Sequence, residues 1–303
     1  MKFLSTLKRL RRKGDKALNN AYSMTEIISR SIRIESLLNG SLQSVKKGVA
    51  DNGRYSDNII VSLTTYGKRI NDVHLVIESL LNQTMLPNKI ILWLAEDEFN
   101  ESTIPLILKK QKGRGLEIGF CKDLKSYKKL IPTLERHPNS VIITVDDDIL
   151  YSHNLIEILY NEYLKNKKCV YCNRSHKMTF DKYNKLLPYN QWIYNFKGNE
   201  ESYIVFPTSG GGTLFPPNCF HKDILNIDLF TKLAPYADDV WFKAMTLLNT
   251  IPCKTTSNSE LIFLQENQDI GLFHKNVGQN FNDVQIRQTF DYYNLWDIIK
   301  SNL

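Results

Sequence analysis

Three consecutive acids, Asp146, Asp147 and Asp148, interrupt the run IITVDDDIL directly after Ile142, Ile143 and Val145. An apolar, β-branched lead-in of this kind reads as a buried strand that delivers carboxylates to a site. Residues two apart on an extended chain share a face, so the spacing predicts that Asp146 and Asp148 converge while Asp147 turns aside. Paired hard oxygens at the C-terminal edge of a strand suit Mg²⁺ or Mn²⁺, and that edge is where open α/β sheets usually bind ligands. The plain alternative is an acidic solvent loop, since Asp is commonly exposed and turn-forming. The buried lead-in weighs against it.

The elements that must position these acids follow an alternating rhythm from Asn58 onward. NIIVSLTTY, NKIILWLAE, LEIGFCKD and SVIITVDDD read as four strands, and KKCVYCNR as a fifth. RINDVHLVIESLLNQ, STIPLILKKQ, SYKKLIPTLERHP and NLIEILYNEYLKN read as the intervening helices. Strands alternating with helices predict an α/β sheet, and this half has the rhythm of a nucleotide-binding fold. After Asn173 the rhythm gives way to aromatic and Gly/Pro-rich stretches, YNQWIYNFKG and YIVFPTSGGGTLFPP, then YADDVWFKAMTLLNT. Irregular aromatic loops over a sheet edge commonly hold a second substrate. The expected division is a basic arm over 1–50 and a main domain over 51–303, with a nucleotide half at 51–173 and an acceptor half at 174–303.

Composition sets the outer limits. With 303 residues and 42% hydrophobic content, the chain can bury a substantial core, which excludes disorder for most of it. The net charge of +7 is concentrated at one end. Residues 1–50 carry 11 Lys/Arg against 3 Asp/Glu, or +8, and the remainder 28 against 29, or −1. Within the arm, Phe3, Leu4, Leu7 and Leu10 lie near one helical face with Lys8, Arg9, Arg11, Arg12 and Lys13 largely around it. That is the pattern of a basic amphipathic helix suited to an anionic membrane surface, and equally of a solvated terminal helix. No interleaved aromatic motif supports nucleic acid as a partner. Five cysteines in a chain with no secretory signal lead to an expectation of reduced thiols and a cytoplasmic location, peripheral at the inner face of the membrane if the arm engages lipid. Cys169 and Cys172 form a C-x-x-C without a second pair at zinc spacing, so it is read as structural. No apolar stretch is long enough to span a bilayer.

Six blocks in order, IIVSLTTYGKR, KIILWLAEDEF, DLKSYKKLIP, IITVDDDI, SGGGTLFPP and ADDVWF, resemble bacterial glycosyltransferases of the GT-A fold, close to the large family 2 type found among surface-polysaccharide genes such as those for capsule or lipopolysaccharide. The resemblance covers roughly residues 58 to 290. It implies a GT-A fold, a Rossmann-like nucleotide-binding sheet with helices on both faces, here preceded by the basic helical arm. It also implies a nucleotide-diphosphate sugar donor, a divalent metal on a D-x-D motif and a glycan or lipid-linked glycan acceptor, with inversion at the transferred carbon. By position, Asp146 and Asp148 are the ends of the D-x-D, with Asp147 between them at the cofactor. Ser62 to Thr65, Thr64 and Thr65 above all, would lie beside the base and ribose. The ADDVWF block falls where related enzymes place a catalytic base, so Asp238 or Asp239 inherits that role, although many family 2 enzymes read Glu-Asp there. Asp238 is expected at the helix cap and Asp239 towards the acceptor.

Further candidates are weaker. Lys125, Lys128 and Lys129 near a helix start are compatible with donor phosphates or with a solvated face. Gly210, Gly211 and Gly212 would let backbone approach a sugar closely, or form a flexible turn. His274 is a candidate third metal ligand, or a structural histidine. Trp241, with Trp192, Tyr194 and Phe215, would stack on sugar rings or fill the core. Two rival classes stay open: a sugar nucleotidyltransferase, for which the single glycine of TTYGKRIND is a poor phosphate-binding turn, and a non-catalytic carbohydrate-binding protein, which would have no need of metal carboxylates.

Overall fold

A computed structural model describes residues 24–51, 53–256, 261–264 and 281–300. The chain divides into two compact units, Met1–Ser44 and Val45–Leu303. In the first, residues 24–43 form helix α1. The amphipathic segment of the basic arm and the candidate ligand His274 lie outside the described residues.

In the second unit the β-branched runs become strands in one seven-stranded sheet, ordered β10-β6-β9-β4-β1-β2-β3. These strands are β1 (Ile59–Thr64), β2 (Lys89–Ala95), β3 (Leu116–Cys121), β4 (Val141–Thr144), β6 (Val170–Cys172), β9 (Thr213–Phe215) and β10 (Cys253–Thr255). β4, β1, β2 and β3 are parallel neighbours, with Ile60 opposite Ile142 on one side and Lys89 on the other. β9 alone runs against them, between β4 and β6. Consecutive residues Ile59, Ile60, Val61, Ser62 and Leu63 are all fully buried, so both faces of the sheet are covered. The α/β class and Rossmann-like sheet expected from the sequence are those the chain adopts. Two short pairs complete the β structure: β5 (Ile149–Tyr151) with β11 (Leu261–Phe263), and β7 (Ser175–Lys177) with β8 (Val205–Pro207).

Among the described residues the helices of this unit are α2 (Val73–Leu81), α3 (Leu106–Lys112), α4 (Ile131–Arg136), α5 (Leu155–Tyr163), α6 (Ile227–Leu233), α7 (Asp238–Leu248), α8 (Phe281–Tyr292) and α9 (Leu295–Lys300). α7 contributes to an extensive apolar cluster, where Val240, Trp241, Phe242, Ala244, Met245 and Leu247 are all buried. Two predicted helices open instead as tight 3₁₀ turns, Gly67–Asn71 before α2 and Lys125–Lys129 before α4. Pro132 in the first turn of α4 lacks the amide an uninterrupted helix from Ser126 would use, so the break falls just before it. The fifth predicted strand is likewise split, into β6 and β7.

The largest departure concerns the acids. β4 ends at Thr144, and Asp147 and Asp148 fall in a turn before β5. The alternation that was to turn Asp147 aside therefore ends before reaching it. Among the described residues no helix is long and apolar enough to cross a membrane.

Candidate active site

The acids gather beyond the C-terminal ends of the parallel strands. The turn after β4 carries the triplet, Thr65 follows β1 directly, and the 3₁₀ turn bearing Lys129 follows β3. Asp147, against the sequence expectation, is the buried member: its carboxylate accepts from Thr65 Oγ1 at 2.6 Å and from Arg69 Nη1 at 2.7 Å. The same Arg69 nitrogen lies 3.2 Å from Asp148 Oδ2. Asp146 takes another direction and accepts from Lys129 Nζ at 2.6 Å. Burial, then the charges of Asp146 and Asp147, push Asp148 up to about 6, against the pull of Arg69 and Lys129.

Lys129 connects two clusters that lie far apart in sequence. Its buried ammonium is 2.6 Å from Asp146 Oδ1 and 3.2 Å from Asp238 Oδ2. Burial alone would lower its basicity, but the carboxylates of Asp146, Asp238 and Asp239 outweigh that and hold it charged. Ser209 closes the arrangement: its amide donates to Asp239 Oδ1 at 2.9 Å and its hydroxyl to Asp238 Oδ2 at 3.4 Å. The cap of α7 is Ala237, and no side chain caps it. Asp238 is therefore the first helical residue and not the expected cap; its carboxylate serves Lys129 and Ser209. Both acids gain from the helix dipole. Asp239 is nevertheless pushed up to about 7 by burial and then by Asp238, with Lys129 and Ser209 acting the other way. A carboxyl poised near neutrality is what general-base chemistry requires.

The glycine run earns its composition by contact. A Cβ on Gly210 would collide with the Asp146 carboxylate, so only glycine leaves that acid its place. The Gly210 carbonyl accepts from the Tyr151 hydroxyl, which in turn accepts from the Asp146 amide at 2.8 Å. Gly212 has φ +95° and faces Leu155, and all three glycines are buried. The run is therefore a packed turn around Asp146, not a flexible one.

Other sequence candidates fall elsewhere. Trp241 is fully buried, with its indole N–H on the Ile224 carbonyl at 3.2 Å, so it is core and not a sugar platform. Trp192 and Phe215 are buried too, whereas Tyr194 is 40% exposed. Lys128 is buried and paired with Asp123. Lys125 lies over the Tyr236 ring at 4.3 Å. Thr64 Oγ1 donates to the Trp93 carbonyl at 2.9 Å. Arg69 was not foreseen, and Lys129 was foreseen only as one lysine in a basic run. All five cysteines are free thiols.

For a divalent metal, the donors that fit are Asp146 and Asp148, both partly exposed, whose repulsion a cation would relieve. Among the described residues no three His, Cys, Asp or Glu side chains converge on one point. Two carboxylates with the remaining positions left to water and substrate phosphate is the usual arrangement for Mg²⁺.

No protein-family model matches the chain, and no curated protein matches it. Among solved structures, S. aureus TarS 1–349 aligns over 67% of this chain and 59% of its own, at 15% identity and a TM-score of 0.45. The same protein in complex with UDP-GlcNAc gives 14% identity over 67% of this chain and 57% of its own, with a TM-score of 0.46. A longer TarS structure gives 14% identity over 72% of this chain and 38% of its own, also at 0.46. The chain thus spans less than two thirds of the length of the structures it aligns with.

Proposed function

We propose that this protein is a glycosyltransferase of GT-A type that moves a sugar from a nucleotide-diphosphate donor to a hydroxyl of a glycan or lipid-linked glycan, with inversion. The observation that carries this reading is the bridge made by Lys129 and Ser209, which sets the α7 acids beside the acid triplet. Glycosyl transfer from such a donor has two electrostatic demands that meet at one carbon: charge leaves with the diphosphate, and a proton leaves the acceptor hydroxyl. A triplet at one end and a carboxyl near neutrality at the other match those two demands.

In this reading Asp239 accepts the acceptor's proton as the acceptor oxygen bonds to the anomeric carbon and the bond to the diphosphate oxygen breaks. Asp238 keeps Asp239 basic by like-charge repulsion, and the Ser209 amide fixes its orientation. Asp146 and Asp148 would hold Mg²⁺ or Mn²⁺, which when bound would offset the charge of the departing diphosphate. Thr65 and Arg69 act through Asp147 and keep the turn in place. Lys129 fixes the spacing between the two ends.

The test is a thermal-shift screen of nucleotide sugars with Mn²⁺ or Mg²⁺ and with chelator, followed by turnover of any hit in the wild type and in Asp148→Ala. A specific ligand raises the melting temperature in proportion to occupancy. The expected result is a metal-dependent shift with one donor class and loss of transfer in the folded variant. Full transfer by Asp148→Ala with the same metal dependence would overturn the assignment of the triplet.

A further inference from the structure

Beside the acid triplet lies a second recess, of about 220 Å³, with Arg174, Asn195, Phe196, Lys197 and Phe263 on its walls. Two chain segments tie it to the triplet. On one side, Gly210 abuts Asp146 while the next residue, Gly211, packs on Arg174. On the other, β11 brings Phe263 opposite Ile149, and the Leu264 amide donates to the Asp148 carbonyl at 2.8 Å. The recess and the triplet are therefore joined through the glycine turn and the β5–β11 pair.

The recess carries positive charge. Of its lining residues, Arg174 and Lys197 are cationic and none is acidic. Among the described residues no carboxylate pairs with Arg174. Its Nε instead donates to Asn195 Oδ1 at 3.2 Å, and its guanidinium lies 5.6 Å from the centre of the Phe263 ring. Those two contacts engage Nε and one face of the fork and do not use its terminal nitrogens. Asn195 is itself held: it has φ +49°, and its amide donates to His176 Nδ1 at 3.1 Å. Burial, then the charge of Arg174, depress His176 to about 4, so that nitrogen remains an acceptor at neutral pH. A planar guanidinium oriented in advance suits a phosphate, which it can bind through two parallel hydrogen bonds. The volume is below that of pockets that enclose whole drug-sized ligands, and so suits a phosphate on one sugar ring more than an entire nucleotide.

We infer that this recess is a substrate subsite for a phosphate-class anion, with Arg174 as its chief ligand and Lys197 at its mouth. The inference rests on the transferase reading for its purpose but not for its test. The same chemistry has two sources, a phosphate-bearing sugar of the acceptor or the diphosphate of the donor.

Calorimetric titration of the full chain with inorganic phosphate, a sugar phosphate and a nucleoside diphosphate separates them. Arg174→Gln is expected to weaken sugar phosphate at least about tenfold, the scale of one lost charged hydrogen bond, with partial recovery in Arg174→Lys. Nucleoside diphosphate binding that survives in Arg174→Gln identifies the acceptor as the source; an equal loss identifies the donor. If Arg174→Gln does not fold, Lys197→Gln and Asn195→Ala are expected to weaken the same probes less steeply. Unchanged affinity for all three probes in folded variants, or no phosphate binding by the wild type, overturns the subsite. Because binding is read directly, failure of the subsite leaves donor turnover intact, and failure of the transferase reading leaves the phosphate result standing.

Discussion

Replacing Lys243 by methionine is expected to stabilise this protein. Lys243 sits in the middle of α7, almost wholly buried, and its ammonium has no hydrogen-bond partner among the described residues. Its neighbours are the thiols of Cys253, Cys172 and Cys169, and burial keeps those of Cys253 and Cys169 from ionising and so from supplying a counter-charge. Burial therefore depresses its pKa from 10.5 to about 8. At about 1.4 kcal/mol per tenfold change in proton affinity, that drop corresponds to about 3 kcal/mol of lost stability at neutral pH. Methionine keeps the length and apolar stem and removes the charge. In a unit of this size each kcal/mol moves the melting temperature by about 2–4 °C, so the variant should melt about 6–12 °C higher at pH 7. The sign with pH is also fixed. Below about 8 the lysine is protonated in both states and the full penalty applies; between about 8 and 10.5 the unfolded chain holds the proton more tightly, so wild-type stability rises with pH. The gap between variant and wild type must close over that window. Melting curves from pH 6 to 11 check it, and a variant no more stable at pH 7, or a gap that stays flat with pH, would refute the reasoning.

Four further outcomes are expected. Asp147→Ala strips a buried guanidinium of its nearest partner and should cost about 3–5 kcal/mol in urea unfolding, with a loss under about 1 kcal/mol counting against the Arg69 network. Asp239→Asn should keep donor binding but lower turnover at least about a hundredfold. In the wild type, turnover should rise with pH through about 7 as the base loses its proton, while the stability this raised carboxyl contributes as an acid declines from about pH 4 to 7; Asp238→Asn should move the turnover midpoint downward, and an unmoved midpoint would place the base elsewhere. Gly210→Ala should displace the Asp146 carboxylate and cost about 1–3 kcal/mol together with most of the transfer; full activity would mean that the glycine is not there for Asp146.

The central parallel strands β1 and β4 were legible because each is buried on both faces and so reads as a continuous apolar run, as at Ile59–Leu63 and Val141–Ile143. The acid triplet was legible for the same reason, as the point where such a run stops. What the sequence could not convey was direction. Asp147 was read by alternation, but the strand ends at Thr144, and a turn obeys no period of two. Asp238 was read as a cap, a role that depends on backbone angles one residue earlier, at Ala237. Lys129 was indistinguishable from Lys125 and Lys128 because a 3₁₀ turn fans three lysines onto an aromatic ring, a surface acid and the buried centre. Trp241 was open between sugar platform and core, and lying two residues beyond Asp239, about 200° around the helix, it enters the core.

One shared ammonium has a consequence for timing. Lys129 divides its charge between Asp146 and Asp238, so positive charge arriving at Asp146 releases more of the lysine to the α7 acids and eases loss of their proton. Reciprocity demands the converse by the same factor: an ionised α7 pair draws Lys129 away and leaves Asp146 freer to receive that charge. In the transferase reading a loaded site would then carry an armed base and an empty site an idle one, observable as a downward drift of the pH midpoint with increasing donor.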